Sequence, residues 1–349
     1  MSVLPDAIER PLLREVTTRC AELNVPLQAV VELTYRCNLQ CTHCYIDIEV
    51  SRNDELSSEQ WKNAFAQLKR AGTAFLLFTG GEIMVREDFL EIAAHGRRSG
   101  FLVGFFTNCT MVDAEVAREM ASMKPFSLTT SLYGATPETH DAVTKVEGSF
   151  DRTLEGIGHF VKAGSPPTVQ VLAMGNNVTE LLQAVDLIER LGARPRVNFA
   201  MAPSKSGDPS PLSCEVTAQD LLTCGWRPRV PQPTKNPRPL LCKAGKSICS
   251  ISPDGTVFPC VMLPLALGKL GDTSFDRIWS YAPCAELRYL RSMRRADLHA
   301  CTDCGLSAYC ERCTGIAYIE SGQLNGPSTS ACRQARVRRR LTQAEGVRS

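Results

Sequence analysis

The chain has 349 residues, 44% hydrophobic and 22% charged, with a formal net charge of +2; this is the profile of a globular protein with a sizeable core and no general affinity for nucleic acid. No apolar run is long enough to span a membrane, and Pro5, Asp6 and Glu9 break up any amino-terminal signal. Sixteen cysteines without such a signal argue for metal or redox chemistry in a reducing compartment, the cytoplasm, and against a disulfide scaffold.

Residues 1–27 read as an amphipathic lead-in helix (Leu12, Leu13, Val16, Cys20) ending near Pro26. Gln28 to Leu33 is an apolar run of strand length, followed at once by Cys37-x3-Cys41-x2-Cys44. Ser57, Ser58 and Glu59 open a helix through Ala71 that Gly72 stops. A strand from Ala74 to Thr79 runs directly into Gly80-Gly81-Glu82. The alternation then repeats: helix Asp88 to Ser99, strand Phe101 to Thr107, helix Asp113 to Ser122, strand Phe126 to Leu132. Helical segments at Pro137 to Val143 and Phe150 to Ala163 follow, then strand Val169 to Ala173, helix Glu180 to Leu191 and strand Arg196 to Met201. Six such units predict an α/β fold with a parallel sheet and right-handed crossovers, curved into a partial barrel. Ligands of these sheets sit at the carboxyl ends of the strands. The cysteine loop, Gly80 to Glu82, Thr107-Asn108 and Ser131 to Gly134 all fall there.

The composition shifts after residue 202. Pro203 to Pro211 is a Pro/Ser/Gly loop, and Gly225 to Pro239 reads as a semi-extended linker carrying Arg227, Arg229, Lys235 and Arg238. Nine cysteines then fall within fewer than a hundred residues that show little periodicity, so the segment needs staples.

Three close thiolates at a strand end can hold three irons of a 4Fe–4S cluster and leave the fourth open. The alternative is a zinc knuckle, for which His43 is poorly placed as a fourth ligand. Further on stand Cys242-x6-Cys249-x10-Cys260, then Cys301-x2-Cys304-x5-Cys310-x2-Cys313, then Cys332. These eight suffice for two closed four-cysteine clusters, and spacing alone leaves two zinc sites as the alternative. In Gly80-Gly81-Glu82 the glycines let backbone approach a ligand, and Glu82 can accept from an ammonium group.

The cysteine loop resembles that of radical S-adenosylmethionine enzymes. The resemblance implies that Cys37, Cys41 and Cys44 hold the cluster and that S-adenosylmethionine binds its open iron. Reduction then releases a 5'-deoxyadenosyl radical that abstracts hydrogen from a substrate. His43 stands where that family carries an aromatic ring beside the adenine, and Tyr45 is counted with it. Gly80, Gly81 and Glu82 resemble the motif that binds the methionyl amine, while Asn108 and Ser131 match positions near the ribose and methionine portions. Many relatives have an arginine three residues after the pair equivalent to His140-Asp141; Thr144 is there instead, which makes Lys145 the candidate for the methionyl carboxylate.

Residues 240–335 resemble the SPASM auxiliary-cluster domain. By that pattern Cys242, Cys249, Cys260 and Cys313 hold one auxiliary cluster, and Cys301, Cys304, Cys310 and Cys332 the other. Two residues separate Cys310 from Cys313 where many members have three. The implied architecture is a partial (β/α)6 TIM-like barrel (28–202) behind the lead-in (1–27). A linker (203–239), an iron–sulfur-stapled SPASM domain (240–335) and a basic tail (336–349) complete it.

The implied cofactors are three 4Fe–4S clusters and S-adenosylmethionine. The implied activity is maturation of a ribosomally made precursor peptide by crosslink, thioether, epimerisation or oxidation. Flavodoxin or ferredoxin would donate the electron, and the basic linker would dock an acidic leader. The first alternative is a small molecule in cofactor, haem or antibiotic biosynthesis. The second is a zinc-stapled RNA-binding protein using Arg333 to Arg340. A sulfatase maturase fits less well, because Val261 replaces the acidic base that follows the cysteine equivalent to Cys260. Cys214 and Cys224 are candidate thiols near the barrel mouth, where substrate would lie by Tyr133 and Met201. His140, His159 and His299 are read as structural.

Overall fold

The computed structural model describes residues 11–46, 54–226 and 242–346. The basic linker positions Arg227, Arg229, Lys235 and Arg238 lie outside the described residues.

Helix α1 (Pro11–Glu22) leads into β1 (Gln28–Thr34), every residue of which is buried. The alternation continues with α2 (Ser58–Arg70), β2 (Phe75–Gly80), α3 (Phe89–Arg98), β3 (Leu102–Phe106), α4 (Ala114–Ser122) and β4 (Ser127–Ser131). Two helices, α5 (Pro137–Thr144) and α6 (Ser149–Lys162), precede β5 (Thr168–Leu172), α7 (Leu181–Arg190) and β6 (Arg194–Asn198). Strands β1 to β6 are parallel neighbours in chain order. Local signals start the helices where expected: Ser57 and Gln60 form a capping box at α2, and the Asp113 carboxylate caps α4. Strand β6 begins two residues before the expected Arg196, because Pro195 reads as a breaker but is tolerated in an edge strand.

Side chains along β1 alternate between two cores. Ala29, Val31 and Leu33 pack outward with Trp61, Phe65, Phe78 and Phe89 under α2 and α3. Val30 turns inward to Leu77 and Ile248, with Phe106, Phe126 and Val261 against them. Period-two alternation therefore leaves Glu32 on the same inward face as Val30.

The cysteine-rich segment is more regular than its sequence suggests. After α8 (Ala218–Thr223) come β7 (Ile248–Ile251), β8 (Thr256–Phe258) and β9 (Gly268–Lys269). Strand β7 pairs in parallel with the free side of β1, Ala29 opposite Cys249, and β8 and β9 continue antiparallel. One nine-stranded sheet therefore runs through both halves of the chain. Helices α9 (Ala285–Ser292), α10 (Thr314–Ser321) and α11 (Thr329–Gly346) follow. Ala244, Leu263, Leu287, Leu290, Met293, Leu298 and Leu324 give this segment an apolar core of its own.

The boundary expected between 335 and 336 falls inside α11, so the basic residues there are not a detached tail. Leu341 is buried with Val216 and Leu221. Arg333 pairs with Glu215 at 2.7 Å; Arg338 is buried, pairs with Glu311 at 2.9 Å and lies over the Phe199 ring. Two of the cations that an RNA-binding face would use are thus neutralised internally. Among the described residues no helix is long and apolar enough to cross a membrane.

Candidate functional site

The loop after β1 is held from three sides. Toward β2, the Thr34 carbonyl accepts from Gly81 N (2.8 Å) and the Arg36 carbonyl from Glu82 N (3.0 Å). Gly80 has φ +132°, and a Cβ on Gly80 or Gly81 would overlap the carbonyl oxygen of Thr34 or Arg36. The close backbone approach that these glycines permit on this side is to the cysteine loop. Toward α5, Gln40 N donates to the Thr144 carbonyl (2.9 Å) and Thr42 N to that of Val143 (3.0 Å). Toward β3, Asn38 donates to the Thr110 hydroxyl (2.7 Å) and accepts from Asn108 Nδ2 (2.8 Å).

This bracing gathers Cys37, Cys41 and Cys44. Burial, reinforced by Glu82 and Cys44, pushes the Cys37 thiol up to about 11 despite a bond from Leu39 N. Burial with the charges of Cys44 and Cys37 pushes Cys41 up to about 12. Thiols so reluctant to ionise become ligands by exchanging their protons for cationic metal. Among the described residues the cysteines form no disulfide, and no three His, Cys, Asp or Glu side chains are gathered tightly enough for a single ion. Three cysteine donors on one loop suit a 4Fe–4S cube with one open iron.

Glu82 behaves differently from its expected role. Its carboxylate is fully buried, accepting from Thr107 Oγ1 (2.7 Å), Met84 N (3.1 Å) and Asn108 N (2.6 Å). A ligand ammonium cannot reach a group without exposed surface, so Glu82 ties the end of β2 to that of β3. The partly exposed backbone of Gly80 and Gly81 is what this turn offers outward. Glu82→Ala is therefore expected to destabilise the chain by about 3 kcal/mol even without cofactor, since it orphans three donors. Urea unfolding of the apoprotein checks this, and an unchanged midpoint would return Glu82 to a ligand role.

The Asn108 side chain is occupied by Asn38, Thr110 N and Thr110 Oγ1, and so braces the loop. Ser131 is a polar neighbour of the Tyr133 phenol, and the Tyr133 ring packs edge-on to His43 with centroids 4.7 Å apart. Burial pushes the His43 imidazole down to about 4, so its ring is neutral. Thr144 is fully buried against Ser149, whereas Lys145 is exposed in a left-handed conformation at the end of α5. Asp141 accepts from Gly148 N, Ser149 Oγ and Phe150 N, which starts α6; His140 accepts from Tyr133 N. That pair is structural.

Among the carboxyl-terminal cysteines, charge acts between near neighbours. Burial, then the charge of Cys242 and later that of Cys313, pushes Cys260 up to about 12; burial and Cys260 raise Cys249. Cys313 stands at the amino end of α10, where bonds from Ile316 and Gly315 N oppose the effect of burial. Gly315 allows this, since a Cβ there would overlap the Met262 carbonyl beside Cys260. Cys310 feels Cys332, Cys301 and Cys304, and Cys332 feels Cys301 and Cys304, after burial in both cases.

Residues 31–188 match the Radical SAM superfamily, and residues 242–305 match SPASM, described as an iron-sulfur cluster-binding domain. The chain carries a radical SAM domain followed by a SPASM domain. Such domains imply 4Fe–4S clusters and S-adenosylmethionine binding. It is 28% identical over 334 residues to the AdoMet-dependent heme synthase of Methanosarcina barkeri, covering 86% of this chain and 95% of that one. It is 29% identical over 327 residues to the mycofactocin maturase MftC of Mycobacterium ulcerans, covering 87% of each. The crystal structure of Streptococcus suis SuiB bound to precursor peptide SuiA shares the fold, with a TM-score of 0.69 at 16% identity, over 95% of this chain and 82% of that one.

The interior of this radical SAM barrel holds a polar cluster that sequence reading missed. Glu32, buried on β1, accepts from Lys205 Nζ (2.6 Å) and Tyr35 OH (3.2 Å), with Ser250 Oγ at 3.5 Å. The ammonium lies 5.3 Å from the Tyr35 ring centroid and 5.4 Å from that of Tyr45. Tyr45, expected beside the cofactor, feels the charges of both Cys44 and Cys260. Lys205 N also donates to the Tyr45 carbonyl (2.9 Å), Gln334 holds the Met201 carbonyl (2.7 Å), and Cys214 contacts Thr42 (3.8 Å). The segment after β6 is thereby strapped across the barrel to the cysteine loop. A charged residue inside the apolar run Gln28 to Leu33 was the available signal, because acids are rarely buried unpaired. Cys224 packs against the Leu221 carbonyl, and Val261 lines the apolar interior.

Proposed function

We propose that this enzyme cleaves S-adenosylmethionine reductively and uses the resulting radical to modify a ribosomally made precursor peptide. The observation that carries the reaction is the Cys37–Cys41–Cys44 loop braced at the carboxyl end of β1. The peptide assignment is supported by similarity to MftC, named a maturase, along 87% of both chains. In this reading Cys37, Cys41 and Cys44 hold one 4Fe–4S cluster, Cys242, Cys249, Cys260 and Cys313 a second, and Cys301, Cys304, Cys310 and Cys332 a third. Held there, the first cluster would supply the electron for reductive cleavage of S-adenosylmethionine to methionine and a 5'-deoxyadenosyl radical.

The chain's own contribution is positioning. Carbonyls of Gly80 and Gly81 would accept from the methionyl ammonium, and Lys145 would neutralise its carboxylate. The His43 ring, set by Tyr133, offers the adenine an aromatic face. Lys205, Tyr35 and Tyr45 line the interior where substrate is oriented, and the strap from β6 keeps that space from bulk water. A flavodoxin or ferredoxin of the cytoplasm delivers the electron.

Similarity to a heme synthase over 95% of its length favours a second reading, a tetrapyrrole substrate. Deuterium transfer separates the two. A perdeuterated precursor peptide encoded beside this gene is expected to pass deuterium into 5'-deoxyadenosine, with a matching change in peptide mass. Transfer from a deuterated tetrapyrrole and from none of the neighbouring peptides would establish the second reading.

A further inference from the structure

Only Glu311 and Arg312 separate Cys310 of one auxiliary group from Cys313 of the other. Glu311 is exposed and turns away to Arg338. Arg312 is half-buried and its fork is held fast: Nε donates to the Gly326 carbonyl (3.0 Å), and one terminal nitrogen to the carbonyls of Gly326 (2.7 Å) and Leu324 (2.6 Å). The other terminal nitrogen donates to the Thr314 hydroxyl (3.2 Å). None of these acceptors carries a charge. A cation withdrawn from water without a carboxylate is costly unless other anions lie close. The sulfurs around Arg312 belong to both proposed sets: Cys313 is its chain neighbour, Cys310 is two residues away, and Cys301 and Cys242 also act on it electrostatically.

We propose that Arg312 is the shared counter-charge of the two auxiliary clusters and raises the reduction potential of both. The inference rests on the ligand sets proposed above. Adding an electron makes a cluster one unit more negative, and a fixed cation in a poorly solvated site favours that reduced form. Arg312 acts here as a positioning residue for charge and makes no contact with substrate.

The test uses the full-length, anaerobically reconstituted protein, titrated with dithionite and followed by electron paramagnetic resonance. In Arg312→Gln the ratio of reduced to oxidised auxiliary cluster at a fixed potential is expected to fall at least tenfold for both, about 59 mV for a one-electron couple. The cluster on Cys37, Cys41 and Cys44 should not move. Arg312→Lys, which keeps the charge, should stay near the parent. Full iron with unmoved potentials in Arg312→Gln overturns the proposal. If Arg312→Gln loses auxiliary iron, Arg312→Lys decides: full iron and parental potentials support a charge role, while iron loss or a tenfold shift makes Arg312 scaffolding and overturns it. A parent protein with only about four irons and no auxiliary signals would sink the ligand sets themselves, before any variant is made.

Discussion

Replacing Cys37, Cys41 and Cys44 together with alanine is expected to lower iron from about twelve to about eight per chain and to abolish cleavage of S-adenosylmethionine. The three thiols sit on a loop braced through Thr34, Arg36, Asn38, Gln40 and Thr42, and none of those contacts runs through a sulfur. The fold should therefore survive the change, and the auxiliary groups, built on β7 and the segment after it, should keep their metal. Iron analysis with chromatography of 5'-deoxyadenosine measures both effects. Cleavage that persists in the triple variant would remove the chemistry from this loop.

Gly81→Ala should disable the same centre without touching a cysteine. A Cβ at that position overlaps the Arg36 carbonyl, so the turn after β2 and the cysteine loop cannot both keep their places. Overpacking backbone in this way costs about 3 kcal/mol, and the loop, carrying no core of its own, is the part that yields. The expected result is loss of about four irons and of cleavage, with auxiliary iron kept. Gly158→Ala in α6 is the control: no atom lies within 4 Å of the added Cβ, so stability should hold or rise slightly. Iron content and urea midpoints for the two variants decide, and a Gly81→Ala protein with full iron and full cleavage would show that the loop does not depend on this approach.

The barrel was legible because its signals are local. Apolar strand runs, Ser57, Asp113 and the βα rhythm each act within a few residues, and the observed strands and helices start and stop close to where those signals put them. The cysteine groups were legible for a chemical reason, since few residue sets other than metal ligands recur at such short spacings. What escaped depends on distance along the chain. Glu32 and Lys205 meet across 173 positions, and nothing near either residue announces the other. The orientation of Glu82 follows from the Thr107 and Asn108 donors on the next strand, so the motif alone suggested an outward carboxylate. Strands β7, β8 and β9 are four, three and two residues long, too short for any period to register. Helix α11 reads as a polar basic run because its contacts to Phe199, Glu215 and Glu311 come from elements far upstream.

The pairing of β7 with β1 bears on how charge can travel through this molecule. Cys249 stands opposite Ala29 on neighbouring strands, and β1 runs on from there into the loop of Cys37. The position of Cys249 relative to β1 is therefore set by a ladder of backbone hydrogen bonds, with strands about 4.8 Å apart. Tunnelling rates fall steeply with distance, and a hinge between two bodies would let that distance wander. Here β7 and β1 belong to one sheet, and Cys249 keeps its register with Ala29. An exchange of cysteine-rich segments between relatives would have to preserve this strand register as well as the ligands, because a slip of one residue would turn Cys249 to the opposite face.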